Sequence, residues 1–154
     1  MSSAGPQQFG DDDPNTGYNR VWFNLMRVQR SSGARIARAL RGHGIDDPIW
    51  YEILMELDNA APDGMPMATL EKKLFLPQYA LSRHASRMEK ADLLKRYPAA
   101  GRGRGQVLRL TEKGKDVHVS LWDAYADTIL DEFGHRLTVD EAYALARLLI
   151  RLYP

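Results

Sequence analysis

The chain contains no cysteine among its 154 residues. Disulfide bonds, thiolate metal ligands, cysteine nucleophiles and thiol-based redox sensing are therefore excluded. The sequence also lacks a run of about 18 apolar residues, which a membrane-spanning helix would need. Its opening residues, MSSAGPQQFGDDDPNTG, include neither the basic segment nor the apolar segment of a secretory signal. We therefore expect a soluble cytoplasmic protein with a flexible tail over residues 1–17.

Acidic residues are scarce in two stretches, although the net charge of the whole chain is only +1. Residues 20–41 carry six arginines and no acid, and residues 78–109 carry eight basic residues against two acids, so each stretch has a net charge of +6. Such concentrated positive charge is the pattern expected of a nucleic-acid-binding protein. The plainer alternative is that these are solvated helix faces.

Hydrophobic periodicity predicts a mostly helical fold. Apolar residues recur at helical spacing over residues 18–40, in the segment DDPIWYEILMELDN, and over residues 69–74 and 78–91. Thr111 is placed to cap a helix that runs to about residue 133, and TVDE at 138–141 forms a capping box for a last helix. The helices at 69–74 and 78–91 are separated by a tight turn, so they form a helix-turn-helix.

Two short strands, LLKRYP and QVLRL, flank the loop AAGRGRG directly after the helix-turn-helix. The loop matches no phosphate-binding glycine motif. A helix-turn-helix followed by a basic hairpin is a winged helix. The predicted fold class is mostly α: a winged helix-turn-helix with a two-stranded β-wing, flanked by N- and C-terminal dimerisation helices. We expect a single domain over 18–154, with a DNA-binding lobe at 46–110 and dimerisation helices at 18–41 and 112–153.

The helix at 78–91 has two different faces. Leu81, Ala85 and Met88 recur at successive turns and are predicted to face the core. The opposite face is built of hydrogen-bonding side chains without a carboxylate, as a phosphate-lined groove requires. The residues predicted to contact DNA from this helix are Gln78, Tyr79, Ser82, Arg83, Ser86 and Arg87.

Arginines are predicted to read DNA at two places. Arg83 is the residue expected to pair with a base, because arginine can bind guanine through two hydrogen bonds. Arg102 and Arg104 in the wing are expected to enter the minor groove, where the potential is most negative. The alternative for the wing is a solvated hairpin tip.

LSRHASRMEKADLLKR, the basic hairpin and VLRLTEKGKDV together resemble the MarR family of bacterial transcriptional regulators, from about Trp22 onward. The wing tip of that family typically reads Asp-x-Arg, so Arg104 matches the arginine and Arg102 replaces the aspartate. Asp92 stands where the family commonly has glycine, and aspartate tolerates the left-handed conformation needed there.

The resemblance implies a homodimeric, ligand-responsive repressor that binds a pseudo-palindromic operator in double-stranded DNA. It also implies a pocket for a small aromatic carboxylate or phenolic effector between the dimerisation helices and the DNA-binding lobe. We expect Trp22, Met26 and Trp50 near that pocket, with Arg30 as a partner for a carboxylate. For each of the three large side chains, a place in the core is the plainer alternative.

Two other functions are alternatives to DNA binding. The first is a winged-helix module that binds protein partners, and the acid-free helix face and cationic wing favour DNA over it. The second is an enzyme. Asp127, Asp131 and His135 are spaced by four, but Gly134 interrupts them and no further histidine is near in sequence, so an acidic solvated face is favoured over a metal site. We predict no catalytic residue, no metal and no cofactor.

Overall fold

A computed structural model describes the chain at residue 10 and over residues 13–101 and 105–154. The chain divides into two compact units, one through Arg35 and the other from Ile36 onward. The elements, in chain order, are α1 (Pro14–Arg41), α2 (Ile49–Asn59), β1 (Met65–Pro66), α3 (Met67–Leu74), α4 (Gln78–Lys90), β2 (Leu94–Pro98), β3 (Gln106–Leu110), α5 (Glu112–Phe133) and α6 (Val139–Ile150).

Helix α1 begins at Pro14, four residues before the predicted start at residue 18. The carboxylate of Asp13 accepts hydrogen bonds from the backbone N and the Oγ1 of Thr16, both at 2.8 Å. An aspartate cap followed by proline in the first turn is a helix start, so the tail predicted over 1–17 is too long by its last four residues. The division at residue 36 falls inside α1, and the single domain over 18–154 stays a prediction.

The core of the second unit lies among α2, α3, α4 and the sheet. Leu81, Ala85 and Met88 are fully buried, which confirms the inward face predicted for α4. Other fully buried side chains in this core are Ile53, Leu54, Leu57, Leu70, Leu94 and Leu108. Between α3 and α4 the chain turns through Phe75, whose φ of 52° is left-handed. This packing confirms the helix-turn-helix and fixes one face of α4 against the core.

The sheet has three antiparallel strands in the order β1-β3-β2. β2 pairs with β3 from Leu94 opposite Leu110 to Pro98 opposite Gln106, which confirms the two-stranded wing. β1 was not predicted, because two residues are too few to show the alternation of a strand. Gly64 leads into β1 with a φ of +78°, and a Cβ there would lie 2.3 Å from the Leu108 carbonyl oxygen, so glycine allows β1 to approach β3.

The last two helices begin at the predicted caps. The Thr111 hydroxyl accepts from the Gly114 backbone N–H at 2.9 Å, and Thr138 and Glu141 form the capping box of α6. Leu121 of α5 is buried, whereas no residue of α6 is. Over the described part of the chain, no helix is both long and apolar enough to span a membrane.

Candidate nucleic-acid interface

The face of α4 that points away from the core carries most of the predicted DNA-binding residues. Gln78, Tyr79, Arg83, Ser86 and Arg87 are exposed on it, and Ser82 is half-buried. Two residues after α4 the chain reverses at Asp92, whose φ of 60° confirms that aspartate adopts the left-handed conformation there. A helix held on the core by one face and free on the other can be inserted into a groove of DNA.

On this face, Arg83 and Tyr79 are exposed side chains that can contact an external molecule. Tyr79 is 70% exposed. Arg83 is exposed and has no hydrogen bond or ion pair with any other described residue. The guanidinium group of Arg83 therefore keeps its full set of donors for an external acceptor, as base or phosphate recognition would require.

Arg87 is engaged within the protein. Its Nη2 atom lies 2.8 Å from the Oδ2 of Asp46, and its Cζ lies 5.4 Å from the ring centroid of Trp50. The side chain thus ties α4 to the segment that precedes α2. Contact with DNA by Arg87 stays a prediction, and it would require a phosphate to compete with the Asp46 carboxylate.

Arg96 of β2 belongs to the same surface and was missed in the sequence. Its Nη2 atom donates to the Ser82 carbonyl at 3.0 Å and to the Ser86 hydroxyl at 2.6 Å. The signal was present, because alternation along β2 places Arg96 on the same face as buried Leu94.

The wing is the β2–β3 hairpin, and it closes with a hydrogen bond from the Ala99 N–H to the Gly105 carbonyl at 2.9 Å. Arg102 and Arg104, its predicted groove-binding residues, lie outside the described residues. Arg109 of β3 is committed internally: its Nε donates to the Asp63 carbonyl at 3.0 Å, and its Cζ lies 4.7 Å from the Tyr97 ring centroid.

The basic side chains of residues 78–109 therefore form two groups, those with a partner inside the protein and those without one. Internal ion pairs, hydrogen bonds or ring contacts occupy Arg87, Arg96 and Arg109. Arg83, Lys90 and Lys95 have no such partner within the described part of the chain. The charge count in the sequence consequently overstates the number of cations that are free to meet a phosphate.

A cleft of about 850 Å³ lies between the helix-turn-helix and the wing. Its walls include Met67 and Glu71 of α3, Gln78 at the start of α4, and Tyr97 and Gln106 of the wing. Helix α4 and the wing thus border one concave surface.

The four predicted effector-binding residues belong to different units of the chain. Trp22, Met26 and Arg30 line a groove of about 290 Å³ on α1. Trp50 is 2% exposed in the second unit, where its Nε1 donates to the Nδ1 of His84 at 3.3 Å. Trp50 therefore packs in the core of its own unit, with its one polar atom already bonded.

Asp127, Asp131 and His135 are all exposed on α5 and the turn after it. Among the residues that the structure describes, no group of three or more His, Cys, Asp or Glu side chains is arranged to hold a metal ion.

Comparison with known proteins shows which family the winged-helix lobe, the part of the chain from α2 to β3, is similar to. Residues 43–105 match the model of the MarR family. Over this segment the winged-helix lobe is similar to the MarR family. This confirms the resemblance drawn from the recognition helix and the wing, and members of this family among solved structures are transcriptional regulators rather than enzymes. No match was found among curated proteins.

Solved MarR-family structures share the fold over nearly the whole chain. AbsC, a transcriptional regulator from Streptomyces coelicolor, is 23% identical with a TM-score of 0.76, and the match covers 93% of each chain. Sco3205 from the same organism, in complex with DNA, is 20% identical with a TM-score of 0.79, covering 97% of this chain and 91% of Sco3205.

A third similar structure is a ligand-bound regulator. The organohalide-sensing transcriptional regulator RdhR-CbdbA1625, bound to 2,4-dichlorophenol, is 21% identical with a TM-score of 0.78; the match covers 97% of this chain and 85% of that one. At these identities the three likenesses establish the fold, which is the predicted winged helix-turn-helix.

Proposed function

We propose that this protein is a DNA-binding transcriptional regulator that binds a pseudo-palindromic operator as a homodimer and represses transcription. The observation that carries the proposal is the exposed face of α4, where Arg83 and Tyr79 are available in a helix-turn-helix of the MarR family. Support comes from the DNA complex of the similar protein Sco3205. In the proposed complex, α4 enters the major groove and the wing lies along the adjacent minor groove.

The homodimer is supported by α6. No residue of this helix is buried, and Val139, Tyr143 and Ile150, which share one face of it, are each more than half exposed. Monomeric soluble proteins rarely expose a continuous apolar surface of this kind. Pairing with a second copy would bury it and would place two recognition helices on two half-sites about one turn of DNA apart.

The regulator is also proposed to respond to a small aromatic carboxylate or phenol. The groove formed by Trp22, Met26 and Arg30 offers aromatic and sulfur-containing surface beside a cation. The phenol bound by RdhR-CbdbA1625 supports this class of ligand. Thermal melting and DNA affinity measured across a panel of phenols and aromatic acids test the proposal, and a panel that shifts neither quantity contradicts it.

A gel-shift assay with the DNA upstream of the protein's own gene tests DNA binding itself. We expect a discrete complex that survives an excess of scrambled competitor DNA. The alternative function, a winged-helix module that binds protein partners, predicts no complex at moderate salt. The exposure of Arg83, which has no ion-pair partner among the described residues, favours DNA.

A further inference from the structure

A single residue of the wing is bonded along one side of the recognition helix. Ser82, Ser86 and Glu89 lie on one stripe of α4, at spacings of four and three residues. Arg96 Nη2 donates to the Ser82 carbonyl and to the Ser86 hydroxyl, and the Arg96 backbone N–H donates to Glu89 Oε2 at 3.1 Å. All three bonds join the edge strand β2 to α4, the helix that carries Arg83.

Most hydrogen-bond donors of the Arg96 guanidinium are already used or buried, so few of them can bind DNA. Nη2 carries two N–H groups, and both are donated into α4. The Nε atom is buried without a hydrogen-bond partner among the described residues, so no phosphate can reach it from outside. Nη1 lies 3.5 Å from the Gln106 side-chain oxygen on β3. The planar guanidinium therefore spans from the helix to both strands of the wing, which the point charge of a lysine could not do.

Ser86 is correspondingly engaged. Its hydroxyl donates to the Ser82 carbonyl at 3.0 Å and accepts from Arg96. The proton of this hydroxyl is used inside the helix, and one of its lone pairs is used by the wing. Ser86 therefore has less capacity for a base than its exposed position suggests.

We propose that Arg96 is a positioning residue that sets the wing relative to the recognition helix, and that Ser86 is its anchor on α4 rather than a base-reading residue. The inference rests on the proposed function, because a fixed spacing of α4 and wing matters when both contact one half-site. Arg96 then acts on DNA specificity through geometry and contributes little through its charge.

The test uses full-length protein and duplexes selected by the wild-type protein from a random-sequence pool, with a shuffled duplex as the non-specific probe. Arg96→Lys retains the charge and removes the planar fork. We expect the ratio of specific to non-specific affinity to fall by about tenfold or more, as for the loss of a charge-assisted hydrogen bond, while the salt dependence stays that of wild type. A wild-type ratio in Arg96→Lys overturns the inference.

Lys95→Gln is the matched control. Lys95 precedes Arg96 on the same strand, is exposed, and has no partner within the described residues. This variant removes one cation from the wing without breaking a bond, so the affinity ratio is expected to stay unchanged. An equal fall in both variants would assign the effect to the electrostatics of the strand and would contradict a positioning role.

Ser86→Ala is the second variant, and it tests the same link between wing and helix if Arg96→Lys does not fold. It is expected to lower the affinity ratio as Arg96→Lys does, and the double variant is expected to be no worse than either single one. Additive losses would mean that Ser86 contacts DNA independently of Arg96, which overturns the assigned role of Ser86.

Hydrogen exchange of the free protein separates this inference from the proposed function. Faster exchange of wing amides in Arg96→Lys or Ser86→Ala, with unchanged exchange in α2, supports the link between wing and helix. Unchanged exchange in the wing overturns it. Failure of the wild-type protein to select any DNA sequence overturns the proposed function instead, and the exchange result then decides the inference alone.

Discussion

At the scale of single residues, the availability of an arginine depends on its neighbours and not on its charge. Arg83 and Arg87 lie four residues apart on α4, and both are exposed. Arg83 has no partner among the described residues, whereas Arg87 is held by Asp46 and the Trp50 ring. A cation that already has a carboxylate partner must lose it before binding a phosphate, so the two arginines are not equivalent for DNA.

Substitution of Arg83 by alanine tests base readout. Loss of a bidentate contact with guanine should cost about 1–3 kcal/mol of binding free energy and relax the preference at one base pair of each half-site. Affinities for a set of single-base operator variants provide the measurement. Unchanged preference at every position would contradict the assignment of Arg83.

Lys90→Ala is the control for Arg83→Ala. Lys90 ends α4, is exposed and has no partner among the described residues. Its removal also deletes one cation per protomer, but it should weaken binding to all sequences to a similar extent.

At the scale of elements, the wing should contribute mainly to DNA affinity and the recognition helix α4 to sequence specificity. Replacement of Arg102 and Arg104 by alanine removes four cations from a dimer. If all four contact phosphates, the slope of log K against log salt should decrease by up to about 3.6. A salt series with the selected duplex is the measurement, and a wild-type slope would identify the loop as a solvated hairpin tip. Sequence preference should remain, because it belongs to α4.

The N-terminus of α6 provides a prediction on pH. Hydrogen bonds from the Thr138 backbone N–H and hydroxyl lower the pKa of Glu141 below its ordinary value of 4.5. Because the pKa is lowered in the folded state, this stabilisation is complete above the ordinary value and is lost as the pH falls through the lowered one. Glu141→Gln should therefore melt below wild type at neutral pH, and the difference should shrink in acid.

Melting curves between neutral pH and about pH 3 test this capping box, a range that brackets the ordinary carboxylate pKa. A gap between Glu141→Gln and wild type that is constant over the whole range would show that the charge of Glu141 has no part in the cap.

At the scale of the whole molecule, α6 is the helix that we propose pairs with a second copy of the chain. Ile150 is 58% exposed, and it shares an apolar face of the helix with Val139 and Tyr143. Ile150→Glu should shift the protein toward monomer in sedimentation equilibrium and weaken operator binding, because a charge would be buried at the interface. A dimer of wild-type stability would contradict the proposed role of α6.

Much of the architecture was predictable because its signals are local. The caps at Thr111 and Thr138, the inward face of α4 and the pairing of β2 with β3 depend on residues close in sequence, and the structure confirms them. The start of α1 was predictable too, since Asp13 and Pro14 form a helix start that was assigned to the tail. Strand β1 was not, because two residues show no periodicity.

The sequence by itself determined the winged helix-turn-helix, since hydrophobic spacing, caps and turns depend on the properties of neighbouring residues. Only the tertiary structure decided which cations are free. Arg87 meets Asp46 across 41 positions, Arg109 meets Asp63 across 46, and Arg96 bonds to Ser82 across 14. Partners so distant in the chain are chosen by packing, and a hydrogen bond requires atoms within about 3 Å, which no periodic pattern specifies.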